Sequence, residues 1–167
     1  MDLTPFQPWI VFLHVAGAFM FAAGHGVSLA VAVRLRSEQD RGRMAALLDL
    51  SAWSLILAGI GLLILLVTGI VAGIVAGSFG RAWIWVSLVG FVVIGGLMTP
   101  LGGNYFRQIR AAIGMRAPNA KPEDPDPVPA SDAELAALLA SPRPTQLLAI
   151  GGIGFFVILW LMMFKPF

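Results

Sequence analysis

Apolar residues run through this chain in long unbroken stretches, with no strict alternation of apolar and polar positions. Four stretches free of charge stand out, at residues 9–33, 51–76, 83–103 and 147–164. A helix needs about 20 apolar residues to cross the hydrocarbon of a bilayer, so each stretch predicts one crossing. Strands of a membrane barrel would alternate from one face to the other, and these stretches do not. The pattern therefore predicts an all-α polytopic membrane protein, four transmembrane helices in a bundle, as one domain over residues 1–167.

Between the spans the pattern changes character. Past Thr99-Pro100, where a kink is permitted, Tyr105, Phe106, Ile109 and Ile113 keep a helical spacing with Arg107 and Arg110 among them. This predicts that the third span continues as a helix along the membrane surface. Residues 117–146 hold seven of the eleven prolines together with Glu123, Asp124 and Asp126, which reads as an extended or mobile linker. Within it, Ser131 and Glu134 form the signature of a capping box for a short helix at 131–140, which Pro142 ends. Leu135, Leu138 and Leu139 of that helix face either the membrane surface, a partner, or the protein's own inner loops.

Charge sets the expected orientation. The first connection carries Arg34, Arg36, Arg41 and Arg43, and the third carries Arg107, Arg110, Arg116, Lys121 and Arg143. The opposite side has only Arg81 and Lys165. Basic residues concentrate on the cytoplasmic side of membrane proteins. Both termini are therefore expected outside, in a bacterial inner (plasma) membrane, with Trp9, Trp83, Trp85 and Trp160 toward the outer interface and Trp53 toward the inner one. Asp2 ahead of the first span, and the arginines after it, fit a retained helix better than a cleaved signal peptide.

Composition agrees, and it narrows the chemistry. Of the 167 residues, 58% are apolar and only 12% are charged, far from the roughly one quarter charged of a soluble domain. The net charge of +2 lies beside the spans, so it reads as topology, and nucleic acid is not an expected partner. With no cysteine, thiolate metal sites and disulfides are excluded. All nine acidic residues fall outside the four spans, Asp49 being nearest, and no span holds Lys or Arg. Pumps and coupled transporters rely on such intramembrane charges. Serine and threonine in the spans have no histidine and carboxylate arranged with them, so no catalytic residues are expected.

Histidine is the exception, because both copies, His14 and His25, sit in the first span. Eleven residues at about 100° each bring the two imidazoles onto one face, about 16 Å apart in depth. Ala18 and Phe21 lie between them, flanked by Gly17, Ala22 and Gly24, as a shallow groove. One reading makes the histidines axial ligands of b-type haem or another tetrapyrrole, with Ala18 and Phe21 lining the groove. The other makes each imidazole a hydrogen-bond donor to a neighbouring helix, with the small residues serving packing. Copper, held by the same histidines, comes third, since no clustered methionine pattern accompanies them. Met98, Met162 and Met163 are present, but read as gap fillers. Gly69, Gly73 and Gly77, four residues apart, predict a helix-packing stripe on the second span, and Gly151, Gly152 and Gly154 a close contact on the fourth.

The run Trp9-Ile-Val-Phe-Leu-His14-Val-Ala-Gly-Ala, the arginine-rich first loop, Thr68-Gly69-Ile, and Trp83 followed by Pro100 and Arg107 resemble bacterial four-helix "predicted integral membrane proteins" of unknown function. Those families are similar to CopD-like membrane domains, and the likeness covers residues 9–113. The resemblance implies a haem or copper role for His14, since related families with a Leu-His pair in the first helix include haem-binding oxidoreductases of the HemJ type. His25 and the acidic Pro-rich insert at 117–130 depart from the pattern, so the implication stops at His14.

The expectation is thus a membrane subunit or carrier holding a tetrapyrrole through first-helix histidines for electron transfer. A structural or assembly subunit without cofactor is the alternative, and copper handling the third. Expected partners are the lipid bilayer and other membrane subunits or a second copy.

Overall fold

A computed structural model of the chain describes residues 3–118 and 120–167. Asp2, and Asn119 within the expected linker, lie outside the described residues. Five α-helices follow one another, with no strand among the described residues: α1 (Gln7–Leu35), α2 (Arg41–Val75), α3 (Ala82–Ala112), α4 (Asp132–Leu139) and α5 (Arg143–Phe164). Four helical stretches are long and apolar enough to cross a membrane.

The helices outrun the apolar stretches that announce them. α2 starts at Arg41, well before Ser51, because Asp40 caps it by accepting a hydrogen bond from the Arg43 amide at 2.7 Å. Its first turns then bury Met44 and Leu48. α3 continues through Pro100 to Ala112, and there it buries Tyr105, Ile109 and Ala112. Residues that a charge-free window rejects are thus held helical by packing on one another.

Two helix pairs make the bundle. α1 and α2 form an antiparallel hairpin, closed by the Glu38 carboxylate, which accepts from the amides of Gln39 and Asp40 and from Arg34. Their backbones nearly touch. A Cβ on Gly17 would fall 2.7 Å from the Leu65 amide, one on Gly24 would collide with the Ser54 carbonyl, and one on Gly61 would fall 2.5 Å from the Phe21 amide. Ser28 and Ser51 share a buried hydrogen bond of 2.8 Å across the same seam. α3 pairs with α5, where Gly151 receives Met98 and Gly154 receives Ile94.

At the arginine-rich end α1, α2, α3 and α4 converge on a side-chain core of Val31, Ala32, Leu35, Met44, Leu48, Tyr105, Ile109, Ala112, Leu135 and Leu139. α4 has its capping box, with the Ser131 hydroxyl accepting from the Glu134 amide and the Glu134 carboxylate accepting from the Ser131 amide. Its leucines lie against the protein's own core. The linker before it, expected to be extended or mobile, makes side-chain contacts of its own. Arg41 donates to the carbonyls of Ala112 and Ala130 and pairs with Asp132, while Arg116 pairs with Asp126 and donates to the Asp124 carbonyl. Arginine side chains do here what apolar burial does elsewhere.

Around the spans the large apolar side chains point outward, among them Trp9, Phe12, Phe19, Trp53, Leu63, Val92 and Phe156. Such a continuous exposed belt is stable only under lipid. Trp83, at the end of α3 away from the arginine-rich core, is buried, with the Lys165 ammonium 5.7 Å from its ring centroid. Trp85 is exposed, and its Nε1 donates to the Phe79 carbonyl at 3.0 Å.

Candidate functional site

Both histidines lie on the inward face of α1, yet they meet different neighbours. His14 faces α2, where its Nδ1 is 2.9 Å from the Leu65 carbonyl oxygen. A carbonyl only accepts, so Nδ1 carries the proton and donates, which in the neutral ring leaves the lone pair on Nε2. The ring edge lies over Gly69, where a Cβ would come within 2.7 Å of Cε1. Gly69 therefore makes room for the imidazole, and any larger residue would push the ring off the carbonyl.

His25 faces α5 and α3. Its ring stacks on Phe21, with centroids 5.4 Å apart and planes at 10°. Its Nε2 is buried and has no hydrogen-bond partner. A Cβ built on Gly151 would sit 3.3 Å from that nitrogen and 3.1 Å from the Met98 sulfur. An imidazole nitrogen and a thioether thus both border the glycine-sized gap at Gly151.

Around the expected groove, α1 makes two kinds of contact. Gly17 and Gly24, which flank Ala18 and Phe21, are where α2 approaches, and the Phe21 ring is engaged with His25. The two imidazoles therefore meet different neighbours on one face of α1.

The glycine stripe resolves into three roles. Gly69 receives His14, and Gly73 receives the side chains of Ile84 and Phe79. Gly77 lies beyond α2, with φ of 61° and nothing within 4 Å of a Cβ position. It is a turn glycine and packs no helix, because α2 ends at Val75 and the chain needs a left-handed residue to leave it.

Sequence reasoning missed two partners. The Leu65 carbonyl is backbone and leaves no mark in the residue pattern. The ion pair of Arg110 with Asp49 joins α3 to α2 at the arginine-rich end, with the Arg110 side chain only 10% exposed. Opposite charges flanking two spans on one side were the available signal. Outside the spans, Glu38 is held below the usual carboxylate range, first by the Asp40 amide that it accepts from, then by the Gln39 amide and by Arg34 and Arg43.

Four helices, apolar on every side and belted by outward-facing large side chains, define an integral membrane protein in contact with the bilayer. The chain belongs to the family described as "Predicted integral membrane protein (DUF2269)", whose model matches residues 8–166. No curated protein and no solved structure matches it.

Proposed function

We propose that this protein is a small membrane subunit or carrier that ligates b-type haem or another tetrapyrrole through His14, for electron transfer. The supporting observation is the His14 hydrogen bond to the Leu65 carbonyl, which fixes the ring and leaves Nε2 as the free donor atom. Histidines that ligate metals typically donate their other ring nitrogen to a carbonyl or carboxylate in this way. Leu65 would hold the tautomer and Gly69 would leave room for the ring, so that His14 Nε2 could ligate a group that, when bound, would supply one-electron chemistry. Because Gly17 and Gly61 close the α1–α2 seam, a macrocycle on His14 would have to lie outside it, with a neighbouring subunit or second copy supplying its other face. The arginine-rich end faces the cytoplasm in a bacterial inner membrane, with both termini outside, on the asymmetry of Lys and Arg.

The second reading is a structural or assembly subunit without cofactor, favoured by the same His14 bond taken as helix packing and by Gly90, Gly95 and Gly96, which stand open on α3. Copper handling, in line with the likeness to CopD-like domains, rests on His25 Nε2 beside the Met98 sulfur, a soft pair suited to monovalent copper.

An oxidised-minus-reduced visible spectrum of the gently solubilised complex separates the three. A reducible Soret and α-band, lost in His14→Ala and kept in His25→Ala, is the expected result. A colourless preparation with stoichiometric partner chains supports the assembly reading, and bound copper without a tetrapyrrole spectrum, lost in His25→Ala, supports the third.

A further inference from the structure

At the arginine-rich end, a cavity of about 350 Å³ opens between α3, α4 and α5, bordered by Tyr105, Gln108, Leu138, Ser141, Arg143 and Gln146. That is within the roughly 300–1,000 Å³ typical of small-molecule sites. None of its lining residues carries a carboxylate. Arg143 donates to the Gln108 side-chain oxygen at 2.6 Å and has no ion pair among the described residues. Arg36 donates to the Thr145 hydroxyl at 3.3 Å, next along α5 from Gln146, and is likewise without an acidic partner there. Two arginines without carboxylates, two amides and the Ser141 hydroxyl thus gather at the start of α5. This set offers donors suited to an anion.

An independent feature continues from it. An open apolar groove of about 560 Å³ runs down α5, lined by Leu148, Gly152, Ile153, Phe156, Val157 and Trp160. At about 100° per residue, Ile153 and Val157 fall within about 20° of Gln146 around the helix axis, so pocket and groove share one face. From Leu148 to Trp160 the groove spans about 18 Å at 1.5 Å per residue, close to one leaflet of a hydrocarbon core about 30 Å thick. Nothing lies within 4 Å of a Cβ position on Gly152, so the floor of the groove is a missing side chain.

We propose that this face of α5 binds one anionic glycerophospholipid, with its phosphate in the pocket at Arg143 and Gln146 and an acyl chain in the groove down to Trp160. A soluble anion would use the pocket and leave the groove idle. An uncharged lipid would use the groove and leave two arginines without a counter-charge. Basic pockets between membrane helices are established holders of anionic headgroups.

The test is native mass spectrometry of the full chain in detergent, offered phosphatidylglycerol and phosphatidylcholine of identical chains at equal concentration. Phosphatidylglycerol is expected to be retained about tenfold better, equivalent to about 1.4 kcal/mol. Arg143→Ala combined with Gln146→Ala brings that ratio to near one, whereas Gly152→Leu lowers retention of both lipids several-fold. Equal retention of the two lipids by the unaltered chain, or a preference that survives the double variant, overturns the proposal. Displacement of phosphatidylglycerol by an equal concentration of water-soluble glycerol 3-phosphate also overturns it, in favour of a site for free anions. Should the double variant unfold, Gly152→Leu decides alone: its side chain enters open space, and undiminished lipid retention refutes the groove.

Discussion

The two ends of α1 are held by different physics. At the arginine-rich end, Leu35 interlocks with Met44, Leu48, Tyr105 and Ile109 in a side-chain core like that of a soluble domain. Along the spans, the contacts of α1 are backbone on backbone, made at Gly17 and Gly24 against α2, while large side chains such as Phe12 and Phe19 face outward. The difference follows from the solvent. Where water is present, burying large apolar groups drives association. Lipid is as apolar as leucine, so within it helices gain by close approach of small residues.

Large-to-small substitutions at the two places sharpen this contrast most. Leu35→Ala is expected to cost about 3 kcal/mol, as for other buried leucines. Leu63→Ala, which removes the same atoms from a lipid-facing position, should stay within about 0.5 kcal/mol. Thermal denaturation followed by circular dichroism in one detergent measures both. Equal losses would mean that the inner end is not a water-driven core.

The reverse substitution breaks the spans instead. Gly24→Val places a side chain on the Ser54 carbonyl and is expected to cost about 2 kcal/mol, in the range of overpacked cores. Gly26→Val, two residues on, meets open space and should leave the melting temperature unchanged. If both variants melt alike, helix propensity and not close approach governs the seam.

Smaller again is the ion pair that stitches the core together. Asp49→Asn leaves the Arg110 guanidinium, itself 10% exposed, without its carboxylate. Loss of a partner from a fully buried pair costs several kcal/mol, but Asp49 is 59% exposed, which reduces the expectation to about 1 kcal/mol. Added salt should weaken the native protein and leave the variant nearly unaffected.

The same contrast explains what was legible from residues alone. The spans were readable because a run such as 51–76 carries no charge, and lipid tolerates nothing else. The ends of the helices were not, because Met44, Leu48 and Ile109 are interleaved with arginines whose partners lie far along the chain. Arg41 is the clearest case: its hydrogen bonds go to Ala112, Ala130 and Asp132, and nothing local to residue 41 announces them. The histidine face was legible from spacing. Its division into one imidazole held by a carbonyl of α2 and another in a glycine-sized gap on α5 depends on which helices pair. Periodicity does not encode that choice. Gly77 misled for a related reason, since four-residue spacing looks the same inside a helix and one step past its end.

Protonation gives the smallest test, and it touches the inner end only. Glu38 and Glu134 both have carboxyl groups held below the ordinary value of 4.5, Glu38 chiefly by the Asp40 amide and Glu134 by the Ser131 hydroxyl and amide. In each case the folded state binds its proton less readily than the unfolded chain. The stabilisation is therefore complete above the unfolded value and is lost as pH falls through the lower folded one. The melting temperature should decline as pH drops below about 4.5, and Glu38→Gln with Glu134→Gln should flatten that part of the profile. Gly24→Val should show the same decline as the native protein, displaced to lower temperature throughout, because no carboxyl group lies at its contact with Ser54 and Ala58. A pH profile altered by Gly24→Val would mean that the spans and the arginine-rich core melt as one unit, and the contrast between them would then describe packing without separable stability.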